Sequence, residues 1–199
     1  MGVNLYLTEE ERTVLEGARV GIAGAGGLGS NCAQHLVRAG IRRFVICDFD
    51  TVNASNLNRQ FFFRDQLGMK KVEALAANLR RIEPELDLTL HDIRLDADNV
   101  ASAFAGCDIV VEAFDAADAK SMLLGTLLPR GVRLVAASGL AGWGRSAALV
   151  VRRMGRNLVM VGDGVCGVGP DHAPQSPRVG IAAAMEANAV VSLLLNKEI

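Results

Sequence analysis

The sequence predicts an α/β fold: a Rossmann-like, doubly wound and mostly parallel sheet, with a C-terminal β-hairpin and a closing helix. Short buried apolar runs alternate with helical segments from residue 19 to residue 140. A glycine-rich turn joins the first of these runs to the helix that follows it. After residue 140 the alternation stops, and two β-type runs flank Gly155 ahead of a long apolar helix.

The size of the chain favours one domain. It has 199 residues, 50% of them hydrophobic, which is enough for a single core. We expect one nucleotide-binding domain over residues 1–199, with a Rossmann-like core over 19–140 and the hairpin, a Gly/Pro loop and the closing helix over 141–199.

Composition excludes several classes of protein. The formal net charge of −1 gives no reason to expect nucleic acid as a partner. No run approaches the roughly 18 apolar residues that a membrane span needs, so we expect a cytoplasmic protein with no membrane partner. None of the four cysteines stands in a Cys-x-x-Cys pair, and we expect no zinc.

The first elements form a strand–helix–strand unit. Thr8 to Glu11 is a capping box, which predicts a short helix ending at Gly17. Residues 19–23 are predicted to be a buried strand, residues 28–39 a helix that Gly40 ends, and residues 44–47 the next strand.

The rest of the chain continues the pattern. Apolar periodicity and breakers predict helices over 72–82, 96–104, 116–128 and 178–195, strands over 86–90, 109–111 and 132–137, a hairpin over 147–153 and 157–161, and an irregular loop over 162–177. The helical runs 28–39 and 178–195 both have Ala-rich apolar faces, which either pack on each other or form a dimer contact.

Polar and glycine-rich segments follow several of the predicted strands. They are residues 24–29, Asp48, residues 112–115, and Ser138 with Gly139. The carboxyl ends of parallel strands share one edge of a sheet, and open α/β sheets bind their ligands there. The sequence therefore predicts that these segments converge on one crevice.

The glycine turn predicts a phosphate site. Gly24, Gly26 and Gly29 match the pattern G-x-G-x-x-G between a strand and a helix, where glycines let a phosphate approach the backbone and the helix N-terminus. Asp48, at the next strand end, is placed to accept hydrogen bonds from a ribose; alternatively it binds backbone amides. Asp50 either contacts the ligand or orients the loop that follows it.

Further polar residues follow the glycine turn and Asp48 along the chain. Asn56, Arg59 and Lys71 provide an amide and two cations suited to phosphate oxygens, and we expect Lys71 to reach from a helix start into the crevice. Asp115 follows a strand and precedes a helix, so it either binds Mg²⁺ or caps that helix. An NAD(P)-dependent oxidoreductase is the alternative, but hydride transfer has no use for the two cations.

Five motifs in order resemble the ThiF/MoeB/HesA family, relatives of ubiquitin-activating enzymes. They are GAGGLGS at 24–30, DFDTV at 48–52, SNLNRQ at 55–60, GMKKV at 68–72 and EAFD at 112–115. The closing pattern, GDG at 162–164 and PRVGI at 177–181, resembles the short ThiF branch of that family.

The resemblance implies an adenylyltransferase. The C-terminal glycine carboxylate of a small ubiquitin-like sulfur carrier protein, ThiS-like and serving thiamine thiazole biosynthesis, would attack the α-phosphate of ATP. Gly27 and Asp48 would hold ATP, and Asp115 would bind Mg²⁺. Asn56, Arg59 and Lys71 would contact the phosphates.

The resemblance also implies a homodimer, and it makes Cys166 a candidate for sulfur transfer. A relative that adenylates another carboxylate, on a modified tRNA base, is a further alternative. A scaffold that binds a carrier without activating it is disfavoured, because the residues expected to bind phosphate are present.

Overall fold

The computed structural model describes residues 6–167 and 172–199, and its centre is one seven-stranded sheet. The strands in chain order are β1 (Arg19–Ala23), β2 (Arg43–Cys47), β3 (Asp87–His91), β4 (Ile109–Glu112), β5 (Arg133–Ala137), β6 (Val150–Met154) and β7 (Leu158–Gly162). Their order across the sheet is β3-β2-β1-β4-β5-β7-β6, and only the hairpin pair β6 and β7 is antiparallel. The predicted fold class is confirmed.

Helices cover both faces of this sheet. They are α1 (Glu9–Gly17), α2 (Gly27–Ala39), α3 (Lys71–Arg80), α4 (Val100–Ala103), α5 (Ala117–Leu127) and α6 (Ser176–Leu194). Helices α1, α2, α3 and α6 share one buried apolar cluster, and α4 and α5 share a second on the opposite face. The division of the domain into a core over 19–140 and a C-terminal part stays a prediction, although the C-terminal hairpin extends the same sheet.

The position of β1 determines where the crevice lies. β1 pairs with β2 on one side and with β4 on the other. The chain builds β2 and β3 on one side of β1 and then crosses over to build β4 and β5 on the other side. Such a reversal separates the loops at the carboxyl ends of the strands and opens a ligand crevice between them.

Small residues bring α2 and α6 together. Ala33, Ala182 and Ala183 are fully buried in the same cluster, so the two Ala-rich faces pack within the chain. Of the two arrangements that the sequence left open for these faces, the structure shows the intramolecular one.

Two predicted elements have different bounds. The helix expected from residue 96 begins only at Val100, because the Asp96 carboxylate accepts the amides of Asp98 and Asn99 at 3.0 Å and holds a turn there. In the hairpin the first strand begins at Val150 instead of residue 147, since Ser146–Ala148 forms a single 3₁₀ turn. Residues 168–171 of the predicted loop lie outside the described residues.

The helices in the described part of the chain are too short or too polar for membrane insertion: none of them meets the length and hydropathy that a membrane span requires.

Candidate active site

The glycine turn, residues 24–29, links β1 to α2 and depends on close backbone approach. A Cβ added to Gly29 would lie 1.8 Å from the carbonyl oxygen of Gly24, so only glycine fits there. Gly24 in turn lies against the segment after β4, since its Cβ would be 2.9 Å from the carbonyl oxygen of Ala113. Gly26 is the N-cap of α2 and makes no side-chain cap, which leaves the helix N-terminus open to an anion.

Asp48 holds the turn in place. Its Oδ2 accepts the amide of Ala25 at 2.6 Å, and its Oδ1 accepts the amide of Asp50 at 2.8 Å. This is the backbone-binding geometry that the sequence left as an alternative to ribose binding. A carboxylate has about four acceptor positions, so two contacts leave capacity for a ligand hydroxyl.

Arg59 lies directly beside the glycine turn. A Cβ on Gly27 would be 3.5 Å from Cγ of Arg59, so the stem of the arginine packs over the start of α2. One guanidinium nitrogen, Nη1, donates to the carbonyl of Ser55 at 3.2 Å and to Oδ1 of Asn58 at 2.7 Å. No carboxylate in the described residues pairs with this guanidinium, whose other donors remain available to phosphate.

Two polar residues of α2 fix the segment that carries Arg59. The side-chain amide of Asn31 donates to the carbonyls of Gly27 and Arg59 at 2.7 and 2.8 Å. The fully buried Ser30 hydroxyl accepts the amide of Phe61 at 3.0 Å. Sequence analysis did not select either residue, because a single polar position inside a helix carries no periodic signal.

Asn56 belongs to the same segment but is directed towards its own turn. Its Oδ1 accepts the amide of Asn53 at 2.9 Å, and its backbone carbonyl accepts the amide of Gln60. Asn56 therefore shapes the turn before Arg59.

Lys71 begins α3 and is almost fully buried, with 6% of the residue exposed. Its ammonium binds Oδ2 of Asp50 at 2.6 Å, and its amide donates to the Asp50 carbonyl at 2.9 Å. We expected the Lys71 ammonium to be free in the crevice, but it is paired with Asp50 in the segment that follows β2. Neighbouring Lys70 is partly exposed and pairs with Asp92.

Asp115 lies in the turn between β4 and α5. The residue is exposed, and the N-cap of α5 is Ala116, which has no side-chain cap. Capping, the alternative role for Asp115, is therefore not observed, and Asp115 follows Ala113 and Phe114, which lie against Gly24 of the glycine turn. One or two carboxylates together with substrate phosphates are the usual protein environment of Mg²⁺, and the exposed Asp115 and the half-exposed Asp50 are each a carboxylate of the type that this ion takes.

A buried acid underlies this edge of the sheet. Glu112 ends β4 with no exposed surface; its carboxylate pairs with Lys120 of α5 and accepts the amide of Phe114 at 2.8 Å. Burial raises the pKa of Glu112, and the nearby Lys120 charge offsets only part of that rise. Lys120 is a third cation at this edge, which sequence analysis did not select.

Ser138 and Gly139, at the carboxyl end of β5, contact the loop after β7, and their share in the crevice stays a prediction. The carbonyl of Ser138 accepts the amide of Gly164, and a Cβ on Gly139 would lie 2.0 Å from Oδ1 of Asp163. Asp163 is held by Arg178 of α6, whose Nη2 lies 2.6 Å from Oδ2. The described part of this loop, residues 163–167, is thus tied to the domain, and we call it the C-terminal loop.

Cys166 lies in the C-terminal loop and is partly exposed. Its amide donates to Oδ1 of Asp163 at 2.8 Å. A hydrogen bond from its thiol to the same carboxylate raises the pKa of Cys166. Such a thiol is a poorer source of thiolate than an ordinary cysteine.

Among the described residues no group of three or more His, Cys, Asp or Glu side chains is arranged to hold a metal ion. The absence of zinc stays a prediction.

Comparisons with known proteins agree with this architecture. The ThiF family profile matches residues 3–198. The molybdopterin-synthase adenylyltransferase of Salmonella typhimurium is 38% identical over 115 residues, which is 57% of this chain and 46% of that protein. The tRNA threonylcarbamoyladenosine dehydratase of Escherichia coli is 35% identical over 127 residues, 63% of this chain and 47% of that protein. The chain thus spans about half the length of these curated relatives.

The fold is shared with a solved structure. The crystal structure of the same E. coli dehydratase in complex with AMP superposes with a TM-score of 0.86 at 22% identity, covering 94% of this chain and 90% of that one.

Proposed function

This chain belongs to the ThiF family, and we propose that it is an ATP-dependent adenylyltransferase. Its substrate would be the C-terminal glycine carboxylate of a small ubiquitin-like, ThiS-like sulfur carrier protein, activated as an acyl adenylate for thiamine thiazole biosynthesis. One observation carries the proposal: the stem of Arg59, whose guanidinium pairs with no carboxylate among the described residues, packs on Gly27 in the turn that would receive phosphate.

The nucleotide would follow the edge of the sheet. We place its ribose at Asp48, whose carboxylate retains acceptor capacity beyond its two backbone contacts. The phosphates would lie over residues 24–29 and the N-terminus of α2, whose first amides point at them. Arg59 would reach the phosphates from one side and Lys71 from the other.

The arrangement suits attack by an anion on a polyanion. A carboxylate is already a nucleophile at neutral pH, so no general base is needed. Like charges repel, however, and negative charge grows on the leaving pyrophosphate. Arg59 and Lys71 would reduce both barriers by placing fixed positive charge at the phosphates.

The Lys71–Asp50 pair would orient the lysine before ATP binds. Burial at 6% exposure limits the conformers of Lys71, and Asp50 fixes its ammonium. Asp115, with Asp50, would hold Mg²⁺, which would neutralise phosphate charge when bound.

Direct use of the adenylate is favoured over a relay through Cys166. The thiol binds Asp163, and this contact raises its pKa. A homodimer and a cytoplasmic location stay predictions.

A second candidate is a tRNA-directed enzyme that adenylates a carboxylate on a modified base. It is favoured by the 35% identity of this chain to the E. coli tRNA threonylcarbamoyladenosine dehydratase over 127 residues. The two candidates share the nucleotide site and differ only in the carboxylate that is activated.

Pyrophosphate exchange together with mass spectrometry tests the proposal. The protein is mixed with ATP, Mg²⁺ and candidate carriers or tRNA, and the carrier is weighed for added AMP. Arg59→Ala and Lys71→Ala should each slow carrier-dependent exchange roughly 100-fold. Lys70→Ala and Arg64→Ala, which remove a partly exposed and an exposed cation from the same stretch of sequence, should change it less than about twofold.

Unchanged exchange in both Arg59→Ala and Lys71→Ala would overturn the site. Stabilisation by NAD but not by ATP with Mg²⁺ would favour the oxidoreductase. Exchange that depends on tRNA but on no carrier would favour the second candidate.

A further inference from the structure

A cavity lies at the amino ends of the strands, the edge of the sheet opposite the glycine turn. It has a volume of about 770 Å³ and is walled by the amino ends of β4, β5 and β7, by the turn after α5, and by the C-terminal end of α6. A cavity of this size is within the range of small-molecule sites.

Four arginines from separate segments line it. They are Arg130 after α5, Arg133 at the start of β5, Arg153 in β6 and Arg156 in the β6–β7 turn, and we call the cavity the arginine pocket. Three of them are exposed, and Arg133 is partly buried. In a chain of net charge −1, this is a local concentration of positive charge.

These charges are not neutralised within the described chain. None of the four arginines forms an ion pair with a carboxylate in residues 6–167 and 172–199. The acid in the wall, Asp108, uses Oδ2 to accept the amide of Arg19 at 2.8 Å. Lys197, also in the wall, pairs with Glu11.

The remaining contacts hold the pocket in shape. Arg133 donates to the carbonyls of Asp108 and Leu193 at 3.1 Å, and so covers the negative C-terminal end of α6 that would otherwise repel an anion. The side chains of Arg153 and Arg156 make no hydrogen bond to the described residues, and their planar donor groups are free to bind oxygens in pairs.

The geometry points to a binding site for a small, multiply charged phosphate-bearing molecule in the arginine pocket, separate from the crevice where ATP is proposed to bind. A concave site with four arginines at one spot suits clustered charge on a compact ligand. An RNA backbone spreads its charge along an extended path, and it would need a basic surface that continues beyond the pocket. Cys107 in the wall is a poor nucleophile, because burial raises its pKa to about 11.

Inorganic tripolyphosphate is the probe. It is titrated by calorimetry into the full chain while a saturating non-hydrolysable ATP analogue with Mg²⁺ occupies the crevice. We expect one saturable site that persists with the analogue present. Arg153→Ala/Arg156→Ala should weaken binding at least about tenfold, since each charged hydrogen bond contributes on the order of 1.5 kcal/mol or more.

The control removes the same charge elsewhere: Arg38→Ala/Arg80→Ala, two exposed arginines at the ends of α2 and α3, should change binding less than about twofold. Loss of binding when the analogue is present, or equal weakening by the control pair, would overturn the proposal. So would tRNA that binds through Arg153 and Arg156 while tripolyphosphate does not. None of these outcomes depends on whether the chain adenylates a carrier.

Discussion

The glycine turn after β1 and the C-terminal loop after β7 are built alike. At each, a glycine lets one backbone segment touch another. A Cβ added to Gly29 would lie 1.8 Å from Gly24 O, and a Cβ added to Gly162, the last residue of β7, would lie 1.8 Å from Ser138 O. Each is also held by one aspartate that accepts two backbone amides: Asp48 holds the glycine turn, and Asp163 holds the C-terminal loop.

The two aspartates differ in what else they bind. The side chain of Asp163 is 6% exposed and pairs with the buried Arg178, whereas Asp48 is partly exposed and has no cation paired with it among the described residues. The comparison teaches that the same loop architecture supports two roles. Where the acid is saturated by protein groups the loop is structural, and where acceptor capacity remains the loop can bind a ligand.

The largest expected effect is at Arg178. The guanidinium also donates to the carbonyls of Gly144 and Arg145 at 2.7 and 3.2 Å, so Arg178→Met would leave Asp163 buried without its partner. We expect the free energy of unfolding to fall by about 3–5 kcal/mol. Urea denaturation followed by circular dichroism measures it.

The matched control is Arg152→Met. Arg152 is exposed and makes a single contact, to the Gly162 carbonyl at 3.1 Å, so we expect a loss below about 1 kcal/mol. Similar losses for both variants would mean that the C-terminal loop is not held by its buried charge.

Next in size is the effect of filling the close backbone contacts. Gly29→Ala and Gly162→Ala should each destabilise the protein by about 3 kcal/mol, because a Cβ would force backbone atoms apart, and Gly162 also has φ of +129°. Gly26→Ala is the control: its Cβ would meet nothing nearer than 3.8 Å, so we expect less than about 1 kcal/mol. Thermal unfolding compares the three, and a similar shift for Gly26→Ala would contradict the packing argument.

Exchanging the two acids for amides separates their roles. Asp163→Asn should lower stability by about 2 kcal/mol and leave ATP affinity of the folded protein unchanged. Asp48→Asn should lower stability by about 1 kcal/mol but weaken ATP binding roughly tenfold, since it loses a charged acceptor for the ribose. Denaturation and ATP titration give the two values, and equal ATP affinities in the two variants would remove Asp48 from the nucleotide site.

The same pair predicts a pH dependence. Burial alone would raise the pKa of Asp163, but hydrogen bonds from the Cys166 thiol and from backbone amides, with the Arg178 charge, lower it to about 2. Because the folded pKa is depressed below the ordinary 3.8, this stability is full above about pH 4 and is lost as pH falls towards 2. The deficit of Asp163→Asn should therefore shrink between pH 4 and pH 2 in denaturation measured at each pH. A stability deficit of Asp163→Asn that stayed constant between pH 4 and pH 2 would contradict a lowered pKa of Asp163.

The smallest expected effect is at Cys166. Cys166→Ala removes one thiol hydrogen bond from a partly exposed position, so stability should change by less than about 1 kcal/mol. Carrier adenylation and subsequent sulfur loading should also be retained. Loss of sulfur loading with adenylation intact would show that the thiol carries sulfur despite its contact with Asp163.

The parts of the fold that follow from local sequence were predictable. The glycine turn, β1 and β2 are encoded by neighbouring residues, and their bounds agree within one residue with those expected. The five motifs identified the family because they occur together and in the order typical of it, although each motif alone is a weak signal.

The rest depends on partners that are distant in sequence. Arg178 looked like any residue near a helix start, and its acid lies 15 positions earlier. Glu186, fully buried in α6, has both carboxylate oxygens without a hydrogen-bond partner among the described residues, and burial with the nearby Glu112 charge raises its pKa. A glutamate among the apolar residues of a helix is unusual, but the sequence alone does not say which groups surround it.

The contact between α2 and α6 constrains how this protein can be made in the cell. α2 presents the glycine turn, and it buries its apolar face against a helix that ends at Leu194. A nascent chain still attached to the ribosome cannot complete that contact until residue 194 has left the exit tunnel. Nucleotide capture should therefore begin only after α6 has emerged, however early the phosphate-binding motif itself is translated.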